Sequence, residues 1–441
     1  MIPQVRPDTI FALSSGHGRA GIAVVRLSGP LAGQALIDLT GSIPPARHAA
    51  LRMLRGADGS VIDEAMVLFF AEPNSVTGED VAELHVHGST AVVERLFGEL
   101  GIKPGFRFAE AGEFTHRAFA NRKLDLVEVE GLVDLLSATG EAQRKLAMRQ
   151  FLGEASEVYN AWRLAVISAL SLFEASIDFS DEDDVAVKAQ NAAWPRIRNL
   201  VSELEAALVQ SEKFGAIRSG LRVVIAGAPN VGKSSLLNIL AGREAAIVSP
   251  VAGTTRDVVE SHLQMAGLPI VLADTAGLRD ASGDAIEDEG MARAKAAAGS
   301  ADILIWVVAP DVSSQVGPPR APDLIVENKA DLELIRNRNE SAIAVSTRTG
   351  VGIDDLYRAL QKLAEQKTSG AEQAVVVRQR HILAVRKSIR LLNNCLAQPQ
   401  RAMELTTEDL RQTARVLSSI TGHVDVEDLL GNIFSEFCIG K

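Results

Sequence analysis

A chain of 441 residues, 47% of them hydrophobic and 4% aromatic, is too long for one ordinary core and should divide into about three domains built from helical and α/β packing. Its net charge of −11 works against a protein that simply coats nucleic acid, because such binding is dominated by phosphate neutralisation. Cys395 and Cys438 are the two cysteines, too few for a disulfide framework. With no N-terminal targeting signal and no apolar run near the ~20 residues of a membrane span, the expectation is a cytoplasmic protein away from the membrane.

Residues 1–120 suggest an α+β unit: strand-like runs at 23–27, 65–70 and 81–86 alternate with helical stretches at 29–39 and 90–100. From about 121 the pattern changes. Phe151, Ala155, Val158, Trp162, Val166, Ala169 and Phe173 recur at three- and four-residue steps, the apolar stripe of a long helix. The acidic segment 178–184 predicts a polar turn before a second helix at about 191–211. Residues 218–350 alternate strands with helices, and from 375 the chain turns helical again up to a short tail. A helix–α/β–helix order fits an α/β domain inserted into a loop of a helical one, since domain termini commonly lie close together. The expected bounds are 1–120, 121–215, 216–374 and 375–441.

The inserted block carries four nucleotide motifs in order. An apolar strand at 221–226 runs into GAPNVGKS (227–234) and then a helical run at 235–240, a phosphate-binding loop in its strand–loop–helix setting. There the backbone of Asn230, Val231 and Gly232 would wrap the phosphates, Lys233 would reach the β- and γ-phosphates, and Ser234 would ligate Mg²⁺ with Ser235 beside it. Thr254 and Thr255 lie in GTTRD (253–257), where Thr255 completes the Mg²⁺ shell. Asp274, Thr275, Ala276 and Gly277 follow the strand at 269–273, with Asp274 holding Mg²⁺ through water and Gly277 sensing the γ-phosphate. Asn328, Lys329 and Asp331 form the base selector. The Asp331 carboxylate accepts from guanine N1–H and the 2-amino group, which adenine does not offer. Ser346 and Thr347 back that base. The sequence therefore predicts a GTP-hydrolysing site.

Leu278 stands where small signalling GTPases carry a water-orienting glutamine, so an acid of the loop 278–290 (Asp280, Asp284, Glu287, Asp288 or Glu289) is the candidate in its place. Glu83, His85 and His87 share one side of an extended stretch by two-residue alternation, a spacing open to metal ligation although no further Cys/His set accompanies it. Between 375 and 415 lie eight Lys/Arg (Arg378, Arg380, Arg386, Lys387, Arg390, Arg401, Arg411, Arg415) against three acids, Glu404, Glu408 and Asp409. That is a candidate nucleic-acid patch, or else a solvated helix face.

Beyond the nucleotide motifs, VVRLSGP (24–30), TGEDVAEL (77–84), AGEFT (111–115) with RAF (117–119), KLDL (123–126) and the tail FCIGK (437–441) resemble signature blocks of the MnmE (TrmE) family of tRNA-modifying GTPases. The resemblance covers essentially the whole chain. It implies a multidomain α/β protein with an N-terminal α+β, tetrahydrofolate-binding-like dimerisation domain, a helical domain and an inserted Ras-like P-loop G domain. It also implies a K⁺-activated GTPase whose G domains pair, with Asn230, Ser249, Val251 and Thr254 as the matching K⁺ ligands. Glu287 is the nearest match to the water-orienting glutamate, and Asp284 or Asp288 could take its register.

For the N-terminal domain the resemblance implies a folate site of Arg26, Glu83, Lys123 and Lys441, with Cys438 nearby as a catalytic candidate. As implied, a homodimer acts with the FAD-containing protein MnmG (GidA) on tRNA. A 5,10-methylene- or 5-formyl-tetrahydrofolate then supplies one carbon for an aminomethyl or carboxymethylaminomethyl group at C5 of wobble uridine 34. A ribosome-assembly GTPase and a purely regulatory GTPase are the rival readings. Each leaves the N-terminal blocks without a chemical use.

Overall fold

The computed structural model describes residues 8–178, 183–243, 260–265, 267–274, 299, 301–312, 317–332, 341–369, 374–424, 433, 434, 437 and 440; for 183–186, 212–219, 243, 260–262, 269, 273 and 274 it describes the backbone. The chain forms two compact units, one of Met1–Val133, Gln150–Gln190 and Gln400–Lys441, the other of Asp134–Arg149 and Asn191–Pro399.

In the first unit, β1 (Thr9–Leu13), β2 (Ala20–Ser28), β3 (Ala50–Arg55), β4 (Val61–Phe70), β5 (Val81–Gly88) and β6 (Phe106–Phe108) form a sheet in the order β3-β4-β5-β2-β1-β6. The β1–β6 pair is parallel and the other pairs are antiparallel. Side chains alternate across such a sheet. Val25 and Leu27 of β2, Val67 of β4 and Leu84 and Val86 of β5 point one way. They bury against Leu36 and Leu39 of α1 (Ala32–Thr40) and Leu96 and Leu100 of α2 (Thr90–Gly101). The alternate residues, including Arg26, Glu83 and His85, therefore fall on the opposite face. Gly29, expected to open a helix, instead turns the chain at φ 131° against Asp8 and Thr9.

The chain continues through α3 (Glu113–Ala120), α4 (Leu126–Ser137), α5 (Glu141–Phe151), α6 (Glu154–Asp178) and α7 (Asp183–Ser219). The predicted stripe is divided: Phe151 ends α5, Gly153 breaks the helix at φ 86°, and α6 buries Ala155, Tyr159, Trp162, Val166, Ala169 and Phe173. Tyr159 takes the core position expected of Val158, because the helix restarts at Glu154 with a new phase. α7 is longer than the predicted 191–211 and carries Pro195 within it.

In the second unit, β7 (Leu221–Gly227), β8 (Glu260–Met265), β9 (Leu268–Asp274), β10 (Ile303–Val308), β11 (Leu324–Glu327) and β12 (Ile343–Ala344) pair in the order β12-β11-β10-β7-β9-β8. All pairs but β8–β9 are parallel. Strands buried on both faces read as continuous apolar runs, as Val223, Val224 and Ile225 do at 0% exposure. α8 (Lys233–Arg243) and α9 (Ile353–Thr368) supply Leu236, Leu240, Leu356 and Leu360 to this core. Two further helices are α10 (Gln379–Ala397), in the second unit, and α11 (Met403–Ile420), in the first.

Candidate nucleotide and N-terminal sites

In parallel α/β sheets ligands bind beyond the carboxyl ends of the strands. Here β7 ends at Gly227, β9 at Asp274 and β11 at Glu327; the register pairs Ile225 with Asp274 and Val308 with Glu327. The loop from β7 to α8 is shaped by Asn230 at φ 66° and Gly232 at φ 93°. Glycine is required at 232: a Cβ there would lie 2.2 Å from Asn328 Nδ2. That same Nδ2 donates to the Val231 carbonyl at 2.8 Å, while Thr347 N–H donates to Asn328 Oδ1 at 3.1 Å. Asn328, 1% exposed, thus ties the phosphate loop to the base-backing loop.

Lys233 is buried, and its Nζ donates to the Ala228 carbonyl at 2.8 Å, across its own loop. Ser234, Ser235 and Asn230 are exposed at the mouth. The Asp331 carboxylate accepts from Ser346 Oγ at 2.7 Å, and Arg348 approaches it to 4.0 Å. The Ser346 hydrogen bond first, then a backbone hydrogen bond and the Arg348 and Lys329 charges, hold its pKa below the usual aspartate value. Lys329, at φ 63°, pairs with Asp311 at 2.6 Å. Asp311, just past β10, was missed in the sequence, where nothing local marks it as a partner 18 residues away.

Ser249, Val251, Thr254, Thr255, Thr275, Ala276, Gly277 and Glu287 lie outside the described residues, as do Cys438, Lys441 and the Asp274 side chain.

On the sheet face opposite α1 and α2, where Ile10 and Ala12 bury against Phe114 of α3, Arg26 and Glu83 are half-buried cross-strand partners in the β2–β5 register. Arg26 Nε donates to Glu83 Oε1 at 3.0 Å, and its guanidinium lies 5.8 Å from the Phe114 ring centroid. The other carboxylate oxygen of Glu83 is 3.3 Å from His85 Nε2. His87 turns instead to Asp63 at 2.8 Å, and no metal-binding group of His, Cys, Asp and Glu occurs among the described residues. Lys123 is exposed and donates to the Pro73 carbonyl at 3.0 Å, not to the Arg26–Glu83 pair. The tail returns to this unit. Phe434 meets His116 edge-on at 4.9 Å, and Ser14 Oγ donates to the Gly440 carbonyl at 2.8 Å. Gly440, at φ 99°, lies where a Cβ would come 2.1 Å from the Leu13 carbonyl, and Leu13 pairs with Val25, next to Arg26.

A phosphate loop at the head of a mostly parallel sheet, with a carboxylate held for guanine beyond β11 of the same sheet, defines a P-loop GTPase. The comparisons with known proteins extend that class to the whole chain. Residues 9–123 match the family described as GTP-binding protein TrmE N-terminus, and residues 126–438 match MnmE helical domain. A tRNA modification GTPase MnmE of Rhizobium johnstonii is 47% identical over 438 residues, covering 98% of this chain and 99% of that protein. Its counterpart in Brucella anthropi is 44% identical over 440 residues, 98% of each. Among solved structures, the G domain of the T. maritima FeoB iron transporter aligns at 26% identity over 33% of this chain and 98% of its own, with a TM-score of 0.24, too low to bear on the fold. The chain belongs to the MnmE/TrmE family, and it is a GTPase of tRNA modification that uses GTP and Mg²⁺. No helix among the described residues is long and apolar enough to cross a membrane.

Proposed function

We propose that this GTPase, with the FAD-containing partner MnmG, adds an aminomethyl or carboxymethylaminomethyl group to C5 of wobble uridine 34 in tRNA, drawing the carbon from a tetrahydrofolate derivative. One observation carries the reading: the half-buried Arg26–Glu83 pair on the sheet face opposite α1 and α2, in the unit to which the tail returns. This donor set fits a folate. A carboxylate accepts from the guanine-like edge of a pterin, and arginine matches an anionic glutamate tail. Bound folate supplies the one-carbon unit; Arg26, Glu83, Lys123 and Lys441 bind and orient it, with Cys438 close by. The test is binding of 5-formyltetrahydrofolate, expected in the intact protein and lost in Glu83→Ala. Equal binding by both proteins contradicts the reading.

For the nucleotide cycle the supporting geometry is the loop shaped by Asn230 at φ 66° and Gly232 at φ 93° and tied by Asn328 to the base-backing loop. Lys233 leaves the Ala228 carbonyl for the β- and γ-phosphates, and Asp331 selects guanine. Ser234 and Thr255 hold Mg²⁺, which neutralises phosphate charge. Asn230, Ser249, Val251 and Thr254 hold K⁺ at the face where two G domains meet, and Glu287 orients the attacking water. The working division is 1–120 for folate binding and dimerisation, 121–215 and 375–441 for the helical domain, and 216–374 for the G domain, in a cytoplasmic homodimer.

A further inference from the structure

We infer that the exposed basic stripe of α10 is a docking surface for the phosphodiester backbone of tRNA; this rests on the chain's place in tRNA modification and adds the location. Of the eight cations that the sequence groups between 375 and 415, six fall into two sets; of the other two, Arg380 has a partner and Arg415 is exposed on α11, in the first unit. Arg378, the N-cap residue of α10, is buried and bound to Asp134 at 2.9 Å. Arg401 is bound to Asp409 at 2.6 Å, and Arg411 to Glu174 at 2.9 Å. These three serve the fold.

Arg386, Lys387 and Arg390 differ. All three are exposed, and no ion pair or hydrogen bond engages them among the described residues. Residues three and four apart on a helix are neighbours, and like charges so placed repel. α10 nevertheless contains no Asp or Glu over its 19 residues. Its buried face is His381, Val385, Ser388, Leu391, Leu392 and Cys395, so the cations lie on the side that packing leaves uncovered. Asn393 and Asn394 continue that side one turn further with hydrogen-bonding amides. The stripe from 386 to 394 extends about 12 Å at the helical rise of about 1.5 Å per residue, enough to meet successive phosphates of one strand.

A chain of net charge −11 repels a polyanion over most of its surface. RNA contact therefore has to be local, and an unneutralised cluster on one helix face is the form it takes. Arginine and lysine with flanking amides suit phosphate oxygens, which ask for charge and donors without base reading.

The test measures binding of an unmodified tRNA transcript to the full chain across a KCl series, for the intact protein and for Arg386→Ala/Lys387→Ala/Arg390→Ala. Three lost phosphate contacts should weaken binding about tenfold or more at moderate salt. They should also flatten the slope of log K against log salt by about 2–3, a change that a merely structural role does not produce. GTP hydrolysis without RNA should match the intact protein, showing that the variant folds. The triple Arg386→Lys/Lys387→Arg/Arg390→Lys variant should keep both affinity and slope. Intact protein that binds tRNA while the alanine variant binds it with the same affinity and slope overturns the docking assignment alone. Intact protein that binds no tRNA overturns the assignment together with direct RNA handling by this chain. Unchanged tRNA binding with lost affinity for an acidic partner protein reassigns the stripe to a protein interface, and likewise overturns it.

Discussion

Arg117 is buried to 1% exposure, and its charge is balanced from three separate stretches of sequence. It pairs with Asp8 at 2.7 Å, Glu79 at 3.0 Å and Glu113 at 3.1 Å, while Arg107 joins Asp8 at 2.7 Å. Removing one partner of such a network strands the others. Arg117→Met should therefore cost about 3–5 kcal/mol, read from the denaturant midpoint of the N-terminal unit; a loss below about 1 kcal/mol contradicts the assignment. The network and its neighbour also set an acid response. Burial opposes charge on Glu113 and Asp8, but their arginine partners outweigh it and lower both pKa values, so their stabilisation is present above the ordinary carboxylate range and is lost as pH falls through the folded values. For His116, burial comes first and lowers the pKa. The unfolded chain binds that proton more readily, and stability falls once pH drops below about 6.5. Acid unfolding should show both limbs, and His116→Gln should flatten the one that begins below about pH 6.5. An unchanged limb in the variant contradicts the role of His116.

At the scale of elements, the phosphate loop was legible because strand, glycine-rich turn and helix are contiguous and each has a local signature; β7 and α8 form where they were expected. Asn328, Asp331, Ser346 and Thr347 follow two short strands with local signatures, and the structure brings them together. What was not legible depends on pairing between distant segments. β1 and the three-residue β6 are held by a parallel pairing of Thr9 with Phe106, to which local periodicity is blind. The Arg26–Glu83 contact needs the β2–β5 register, and the Lys123 hydrogen bond to the Pro73 carbonyl spans 50 residues. The division of the stripe at Gly153 escaped because apolar spacing continued across the break. Gly440 offers a test of the tail as an element. Gly440→Ala puts a methyl into the Leu13 carbonyl and should weaken 5-formyltetrahydrofolate binding about tenfold, about 1.4 kcal/mol, with basal GTP hydrolysis unchanged. Unaltered folate affinity separates the tail from the folate site.

For the whole molecule, a GTP-hydrolysing unit is part of a chain that serves tRNA modification. Leu278 cannot orient water as a glutamine does, so hydrolysis should depend on an added charge at the G-domain face. GTP turnover should be at least about tenfold faster in K⁺ than in Na⁺, and Asn230→Ala should erase most of that difference; equal rates in the two salts remove the cation from the account. The central claim is that this cycle serves the wobble position of tRNA. Its most direct test is nucleoside analysis at uridine 34 of tRNA from cells lacking this chain, complemented by the intact protein, by Glu83→Ala or by Asp331→Ala. The account predicts that the C5 modification disappears without the chain, returns with the intact protein and returns with neither variant. Unchanged modification in cells lacking the chain would contradict it.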